Sequence, residues 1–408
     1  MGVTIKDEGI CQGSIFDGVK PLKIVKPLRL IELFAGIGAQ AKALENLGVN
    51  FEHYRICEFD KYAVASYNAV HGTNFTTSDI TQIHSEDLGI IETDKYEYIM
   101  TYSFPCTDLS KAGKQQGMSR ESGTRSGLLW EVERLLKETK ELPQILLMEN
   151  VPDVLSDKNK KDFFAWCRFL EDLGYTNKYS VLNAKDFGVP QNRERCFMLS
   201  WLAEDYYYDF PNKQPLSRKL KDMLELKVDE KFYLSKKAAN ALLNLNCKDI
   251  SKTVRPGGRG SVDRHCWDIV VEPAVWDGFN QSIRKDSSCI GTLTRNCGAD
   301  LKRNGQGIIE NGVRLFQYGH GYLPAGEINS EIYPTVRESN TARYNNAILQ
   351  SGDVRVRKLT PKECWRLVGF DDESFSRAEK KVSNSQLYKQ AGNSIVVDVL
   401  MAIFKKLF

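Results

Sequence analysis

A cysteine and a glutamate, each placed at the end of an apolar run, are the residues of this chain best suited to chemistry. Cys106 follows the run 98–102 and is preceded by Pro105, whose ring fixes a backbone angle and so aims the thiol. Glu149 ends a second apolar run that starts at Ile145. If both runs are strands of one α/β sheet, the two side chains come out at the same edge, where ligands bind in such sheets. The pair predicts a thiol nucleophile beside a carboxyl group that handles a proton.

Two arginines introduce a further strand, 196–201, and could serve the same site. Arg193 and Arg195 flank Glu194. As an ordinary surface cluster with Glu194 they would contribute little. As site residues they would clamp a phosphate or hold Glu149 in place, and we assign Arg193 to orienting Glu149, with Arg195 in support.

A glycine-containing turn indicates a ligand site at the start of the chain's first strand–helix unit. Phe34 is followed by Gly36 and Gly38, which let the backbone approach a ligand and leave helix amides unpaired for it. The third glycine of a dinucleotide fingerprint is missing at Ala41. The pattern therefore disfavours NAD or FAD and favours a nucleoside ligand without a pyrophosphate, such as S-adenosylmethionine.

Three residues further along complete this predicted adenosine site. Glu58 at the end of the second strand can accept hydrogen bonds from ribose hydroxyls, and Phe59 offers a face to a flat ring. Asp79, expected at a third strand end, can accept from an exocyclic amine. Each residue alone is as readily a helix cap or a surface acid; the adenosine site rests on the combination.

Strands alternate with helices in the part of the chain that holds these residues. This alternation predicts an α/β fold with a mostly parallel, doubly wound sheet of Rossmann type. It stops near residue 210, and a loop-rich, β-dominated second domain is expected beyond. The predicted organisation is an N-terminal extension at 1–27, a catalytic and cofactor-binding domain at 28–209, a second domain at 210–383, and a C-terminal helix at 384–408 that returns to the catalytic domain.

Composition limits the class of protein. With 408 residues, 42% hydrophobic and 27% charged, the chain has the make-up of a globular protein of two domains. No signal peptide or membrane-spanning run is visible, so we expect a cytoplasmic protein. The ten cysteines and five histidines show no metal-ligand spacing, and no metal is expected. A net charge of +3 is too small to imply a nucleic-acid partner by itself.

The motifs occur in the order found in one enzyme family, and the chain resembles the C5-cytosine-specific DNA methyltransferases of bacterial restriction-modification systems and phages. The resemblance covers residues 28–408. Two positions depart from the family pattern, Ala39 in place of a second glycine and Thr107 in place of glutamine. The segments that carry it are 34–38, Glu58, Asp79, 104–106, 125–128, 149–151, 191–195, 357–363, 367–370 and 390–396.

The resemblance implies a reaction and assigns residues to it. S-adenosylmethionine would methylate C5 of a cytosine flipped out of duplex DNA, through a covalent bond between Cys106 and C6, leaving S-adenosylhomocysteine. Leu128 and Asn393 would contact the cofactor, and a mobile lid at 108–117 would close behind the base. The second domain would recognise the target. The DNA contacts expected are Ser110, Lys111 and Lys114 in the lid and Arg255, Thr292 and Arg295 in the second domain.

The partners implied are double-stranded DNA and a cognate restriction endonuclease, with the chain itself a monomer. Three alternatives stay open at this stage. A related subfamily methylates tRNA, although its second domain is much shorter. A methylase-like repressor would bind DNA without chemistry, and a nicotinamide oxidoreductase would need the glycine pattern that is broken here.

Overall fold

A computed structural model of the chain divides into two compact units, Met1–Ser217 with Trp365–Phe408, and Arg218–Cys364. Each is described by itself. The structure describes residues 8–10, 19–106, 109, 117–120, 124–233, 274–277, 282–284, 290–291, 306–310, 315–316, 347–348 and 355–408. In these described parts no helix is long and apolar enough to cross a membrane.

The described elements confirm the alternation of strands and helices expected from the sequence. The strands are β1 (Glu8–Ile10), β2 (Lys20–Pro21), β3 (Leu28–Leu33), β4 (Phe51–Cys57), β5 (Glu97–Tyr102), β6 (Ile145–Asn150), β7 (Thr176–Asn183), β8 (Gln191–Asn192), β9 (Glu194–Trp201), β10 (Tyr206–Tyr207), β11 (Ala274–Asp277), β12 (Ser282–Arg284), β13 (Ile290–Gly291), β14 (Gln306–Glu310), β15 (Leu315–Phe316), β16 (Ala347–Ile348) and β17 (Arg355–Lys358). The α-helices are α1 (Ala39–Asn46), α2 (Lys61–His71), α3 (Ser85–Leu88), α4 (Leu129–Glu138), α5 (Lys160–Asp172), α6 (Leu220–Met223), α7 (Pro361–Leu367), α8 (Asp372–Glu379), α9 (Asn384–Asn393) and α10 (Val397–Phe404). Short 3-10 helices cover Arg125–Leu128, Pro152–Leu155, Ala184–Phe187 and Glu230–Phe232.

The first unit contains a seven-stranded sheet in the order β1-β7-β9-β6-β5-β3-β4. β4, β3, β5 and β6 are parallel neighbours, whereas β9 runs antiparallel to both β6 and β7, and β1 antiparallel to β7. The sheet is therefore mixed and not mostly parallel. The reason is local: only a short connection joins β7 to β9, and such a connection pairs strands antiparallel, while a parallel pair needs a long crossover.

The central strands are buried on both faces because they are almost continuous apolar runs. All six residues of β6 are buried, and in β3 only Arg29 is partly exposed. This pattern is typical of strands covered by helices on both sides of a sheet. Helix α4 covers the sheet with Val132, Leu135 and Leu136, whose spacing places them on one helical face.

Local signals set the ends of α2, which follows directly after Glu58 and Phe59. Asp60 caps its first turn by accepting a hydrogen bond from the Tyr62 amide at 2.9 Å. Gly72 ends it in the left-handed conformation that favours glycine at a helix C-terminus.

The C-terminal helices pack on the first strand–helix units. Helix α10 lies against α1, and the Tyr208 hydroxyl donates to the carbonyl of Ile403 at 3.0 Å. Helix α9 is joined to α2, where Ser66 Oγ donates to Gln390 Oε1 at 3.1 Å and Gln390 Nε2 donates to the Tyr62 carbonyl at 2.9 Å. The last helices thus return to the part of the sheet where the chain's first motifs lie.

The second unit holds a four-stranded antiparallel sheet in the order β12-β11-β14-β17. At its C-terminal end Arg357 and Glu363 form a fully buried, bidentate ion pair with nitrogen–oxygen distances of 2.8 and 2.9 Å. Backbone amides of Thr360 and Glu225 complete the set of donors to the Glu363 carboxylate. A buried carboxylate of this kind is stable only when its hydrogen bonds are made.

Candidate active site

One edge of the seven-stranded sheet collects the residues singled out by the sequence. The carboxyl ends of β3, β4, β5 and β6 meet there because these strands are parallel, and the amino end of the antiparallel β9 joins them. These ends carry, in turn, Phe34, Glu58, Cys106, Glu149 and Arg195. This is the edge at which open α/β sheets bind ligands.

Two hydrogen bonds fix the loop that presents Cys106. The buried Asn150 side chain donates to the Phe104 carbonyl at 3.0 Å, and Ser126 Oγ donates to the Pro105 carbonyl at 2.7 Å. Both of the residues directly ahead of Cys106 are thereby tied to neighbouring elements. The thiol, half-buried against the core, is held in place and not left on a free loop.

The charges around Cys106 act on its pKa in opposite directions. Burial raises the pKa of the thiol, and the Glu149 carboxylate raises it further. The guanidinium groups of Arg195 and, more weakly, Arg193 lower it. The balance is a raised pKa, so the reactive thiolate becomes more abundant as pH increases.

Arg195 is the arginine that holds Glu149. Its Nε lies 3.0 Å from Glu149 Oε1, and the two side chains are only 14% and 11% exposed. The strand register explains the contact: Glu149 pairs with Phe197, and Arg195 is two residues before Phe197 on the same face of the sheet. Side chains so related by a diagonal across two strands are within reach of each other when one is long.

Arg193 makes different contacts from those we assigned to it from the sequence. It is buried, and its Nη2 donates to the carbonyls of Ser394 at 2.7 Å and Gly392 at 3.2 Å. It is also two residues further from the strand position opposite Glu149 than Arg195 is. The described contacts therefore give Arg193 the task of holding the end of α9 at this edge and give Arg195 the contact with Glu149.

A hydrogen bond joins the turn after β3 to Glu58, the acidic residue after β4. Gly36 N donates to Glu58 Oε2 at 2.9 Å, and Asp60 N donates to Oε1 at 2.8 Å. Burial raises the pKa of Glu58 while these amides oppose the shift. The turn is conformationally unusual, since Phe34 has φ of 58° and Gly36 of 57°. The Phe59 amide also stabilises the Glu58 carboxylate, which keeps acceptor capacity for a further donor.

The remaining predicted cofactor residues differ in their exposure. Phe59 is 71% exposed, an unusual position for a large ring. We expected Asp79 at the end of a strand, but it begins a turn instead. Its carboxylate accepts hydrogen bonds from Thr81 N and Oγ1, both at 2.9 Å. Its neighbour Ser78 donates its amide to the Glu58 carbonyl at 2.9 Å, which places the turn beside the end of β4.

Two more predicted cofactor residues lie at the ends of helical segments. Leu128 ends the 3-10 helix that begins at Arg125 and is partly buried. Asn393 is the exposed last residue of α9. Gly38 caps α1 in the left-handed conformation, with φ of 77°.

Sequence reasoning missed three residues that position the site. Asn150 and Ser126 fix the Cys106 loop, and Lys389 pairs with Asp60 at 2.6 Å at the start of α2. Asn150 could have been suspected, because an asparagine next to Glu149 at the end of a buried strand needs a partner. Nothing local distinguishes Ser126 or Lys389 from surface residues.

A further expectation from the sequence, beside those for the sheet, Arg193 and Asp79, is not met. The histidines were expected to form no cluster of metal ligands, yet Glu45, His53 and His71 come together, with one ligand atom of each within 4.8 Å of the others. The predicted lid at 108–117 falls almost entirely outside the described residues. The same holds for all the predicted DNA contacts, namely Ser110, Lys111, Lys114, Arg255, Thr292 and Arg295.

Comparisons with known proteins identify the family of the chain. The sequence profile of the family described as C-5 cytosine-specific DNA methylase matches residues 28–408. The type II methyltransferase M2.ScrFI of Lactococcus lactis subsp. cremoris is 31% identical, over 93% of this chain and 99% of that protein. The orphan methyltransferase M.SssI of Spiroplasma monobiae is also 31% identical, over 94% of this chain and 97% of its own length.

A solved structure shows the same fold at lower sequence identity. The Dnmt2 methyltransferase of S. pombe aligns with a TM-score of 0.60 at 19% identity, covering 94% of this chain and 98% of that one. The chain belongs to the C-5 cytosine-specific DNA methylase family. It is a DNA cytosine-5 methyltransferase.

Proposed function

We propose that this chain transfers a methyl group from S-adenosylmethionine to C5 of a cytosine in a short duplex DNA sequence, through a covalent bond between Cys106 and C6. The observation that carries the proposal is the convergence, at one sheet edge, of the Cys106 thiol with the Glu149–Arg195 pair. A thiol and a carboxyl group of this kind suit a substrate that needs nucleophilic addition at one atom and proton handling at another.

The residues at the same edge fit S-adenosylmethionine. Glu58 retains acceptor capacity for ribose hydroxyls, and the exposed Phe59 ring offers a stacking surface to adenine. Ser103 Oγ, three residues before Cys106, is buried and has no hydrogen-bond partner in the described part of the chain, so it is available to a ligand. The groups proposed to hold the cofactor are Phe34, Gly36, Gly38, Glu58, Phe59, Asp79, Leu128 and Asn393.

When bound, this cofactor supplies an electrophilic methyl group; the protein must make C5 of cytosine nucleophilic enough to accept it. The Cys106 thiolate adds to C6, and the electron pair of the C5–C6 bond moves to C5. Glu149 hydrogen-bonds N3 and stabilises the charge that develops on the ring. Once C5 carries the methyl group, loss of the C5 proton and expulsion of the Cys106 thiolate restore the ring.

Arg195 and Arg193 support this chemistry without touching the bond that forms. Arg195 holds the Glu149 carboxyl group and favours the thiolate of Cys106. Arg193 holds the end of α9 through the Gly392 and Ser394 carbonyls, next to the proposed contact of Asn393.

The target carbon is inaccessible in a stacked duplex, so the cytosine must be flipped out. We propose that the unit at 218–364 recognises the sequence around it, with Arg255, Thr292 and Arg295 among the contacts. The lid residues Ser110, Lys111 and Lys114 would contact DNA near the base.

If the unit at 218–364 binds phosphates, duplex affinity should fall with salt at a log–log slope of about −0.9 per phosphate contact. The relative M2.ScrFI is named a type II methyltransferase, and we extend that setting, with its cognate restriction endonuclease, to this chain.

The deciding experiment is to incubate the protein with S-adenosylmethionine and unmethylated phage DNA and to map 5-methylcytosine along the genome. Marks confined to one short motif support the proposal and supply the recognition sequence. DNA so marked should resist a restriction endonuclease that cuts at that motif. The Cys106→Ala variant should make no marks while binding the cofactor with nearly wild-type affinity. Methylation of tRNA and not of duplex DNA would contradict the proposed substrate.

A further inference from the structure

Three residues outside the site described above form a cluster with the chemistry of a metal centre. Glu45 lies in the last turn of α1, His53 on β4, and His71 is the last residue of α2. One ligand atom from each lies within 4.8 Å of the other two. Two imidazoles and a carboxylate are a donor set that suits zinc and other first-row divalent metals.

The outer hydrogen bonds of both histidines leave the other ring nitrogen facing this point. His71 Nε2 lies 3.1 Å from the carbonyl oxygen of Ile37, which can only accept, so Nε2 carries the hydrogen and Nδ1 faces Glu45. His53 Nδ1 lies 3.2 Å from the Tyr67 hydroxyl oxygen. Ring nitrogens with hydrogen bonds of this kind are typical of histidines that bind a metal through the other nitrogen.

Tyr67 fixes the orientation of His53. Its hydroxyl donates its single proton to the buried Glu32 carboxylate at 2.5 Å, so its oxygen accepts from His53 Nδ1–H. The lone pair of His53 Nε2 is then directed at Glu45 Oε1, 3.6 Å away. The His53 lone pair and the Glu45 oxygen are thus placed to serve as two ligands of one cation.

We propose that Glu45, His53 and His71 bind a divalent transition-metal ion, with zinc as the best match. Tetrahedral zinc with bonds of about 2.0–2.2 Å places its ligand atoms about 3.4 Å apart, close to the 3.6 Å between His53 Nε2 and Glu45 Oε1. The 2.6 Å between His71 Nδ1 and Glu45 Oε1 is a hydrogen-bond distance. Metal binding releases to solvent the proton that His71 Nδ1 shares with Glu45, and the partly exposed Glu45 side chain moves to make room.

The surroundings allow the ion to enter and to keep a water ligand. A cavity of about 270 Å³ opens on Glu45 and His71 and is also lined by Lys42, Asp371 and Arg377. Lys42 Nζ is 3.6 Å from Glu45 Oε2 but only 2.7 Å from Asp371 Oδ2. Asp371 therefore neutralises most of the ammonium charge, and Glu45 Oε1 remains available to the metal.

The site would brace the turn that carries Gly36 and Gly38. His71 joins the cluster to the carbonyl of Ile37, between the two glycines, and a bound metal would hold the His71 ring against that carbonyl. The metal would thus have a structural role: it would link α1, β4 and α2 next to the turn and take no part in the chemistry at Cys106.

The test uses the full chain, stripped with a chelator and titrated with Zn²⁺ against a chromogenic competitor, then with Co²⁺. The wild type should bind one metal ion with no thiolate-to-cobalt charge-transfer band. Glu45→Gln and His53→Gln should lose this binding. His84→Gln, a change at a histidine whose side chain is 71% exposed, should keep it. Tyr67→Phe should bind about 10–100-fold more weakly, because the His53 ring loses the partner that orients it.

Thermal unfolding of each metal-free variant shows whether it is folded. Metal should raise the unfolding temperature of the wild type and of His84→Gln, should do so for Tyr67→Phe only at higher metal concentration, and should not change it for Glu45→Gln or His53→Gln. Should a histidine variant fail to fold, Glu45→Gln, altered at a partly exposed position, still decides the question. Wild-type protein that binds no metal, Glu45→Gln or His53→Gln protein that binds as well as the wild type, or a cobalt spectrum that shows cysteine ligation would each overturn the proposal.

Discussion

Replacing Arg195 by glutamine separates the two tasks that the structure gives this side chain. The first is to hold Glu149. At an effective dielectric constant of about 20, charges 3.0 Å apart attract by about 5.5 kcal/mol, and most of this is offset by the cost of removing both groups from water. A hydrogen bond to a charged group contributes about 1.5–3 kcal/mol net, so we expect Arg195→Gln to lower the free energy of unfolding by about 2 kcal/mol.

The second task concerns the thiol. The Arg195 charge lowers the pKa of Cys106, so its removal should raise that pKa further and reduce the thiolate fraction at neutral pH. Iodoacetamide should then alkylate Cys106 more slowly in Arg195→Gln. Glu149→Gln should have the opposite effect, because the carboxylate that raises the thiol pKa is gone. Methyl transfer in a single turnover should fall about 100-fold in Arg195→Gln, since a displaced Glu149 is no longer aligned.

The assay is methyl transfer and Cys106 alkylation measured across a range of pH, with urea unfolding of each variant. In Arg195→Gln the alkylation rate should partly recover at high pH, where the thiolate forms without help. Arg366→Gln is the matched control: it breaks a bidentate pair with Asp372 at 2.7 Å, at a more exposed position away from the site. It should cost at most about 1 kcal/mol and leave both rates unchanged. Equal alkylation rates in wild type, Arg195→Gln and Glu149→Gln would refute the electrostatic reasoning.

Three further predictions follow from single contacts. In Gly38→Ala the new Cβ would lie 2.3 Å from His71 Nε2 at φ of 77°, so we expect a loss of more than about 2 kcal/mol in urea unfolding; Gly48→Ala, with φ of 69° and open space, should cost only about 1–2 kcal/mol. Burial raises the pKa of Glu32 from 4.5 to about 7, so the folded chain binds the extra proton between these values and stability falls as pH rises through them. The stability gained in Glu32→Gln should therefore be larger at about pH 8 than at about pH 5, and an equal gain at both would contradict the raised pKa. Asn150→Ala removes the hydrogen bond to the Phe104 carbonyl and should lower the rate of methyl transfer without changing cofactor affinity, as single-turnover kinetics and equilibrium binding would show.

The sequence was sufficient for the central part of the fold because its strands are continuous apolar runs with clear breaks between them. The ends of β5 and β6 could be predicted to within a residue or two. This was enough to predict that Cys106 and Glu149 lie at one edge of the sheet. The helix at 372–379 was not expected, since its sequence is largely polar, and the single C-terminal helix predicted at 384–408 is divided into the helices 384–393 and 397–404. The helix at 372–379 begins at a capping residue, Asp371, that accepts from the Ser374 amide at 2.7 Å.

Features that depend on long-range pairing could not be predicted. The three residues of β1 form a strand because they pair with 178–180, far away in the chain, and no local pattern marks them. The choice of Arg195 over Arg193 as the partner of Glu149 depends on the register between β6 and β9. Likewise the cluster of Glu45, His53 and His71 has no sequence spacing by which metal sites are ordinarily recognised.

The contacts of α9 have a consequence for biosynthesis. Arg193 donates to the carbonyls of residues 392 and 394, and Asp60 pairs with Lys389, so the sheet edge depends on contacts with the segment 389–394. A chain still on the ribosome can form the central strands, but its catalytic edge is finished only after residue 394 has left the exit tunnel. A nascent chain that ends before residue 394 would therefore lack these contacts and be unable to methylate.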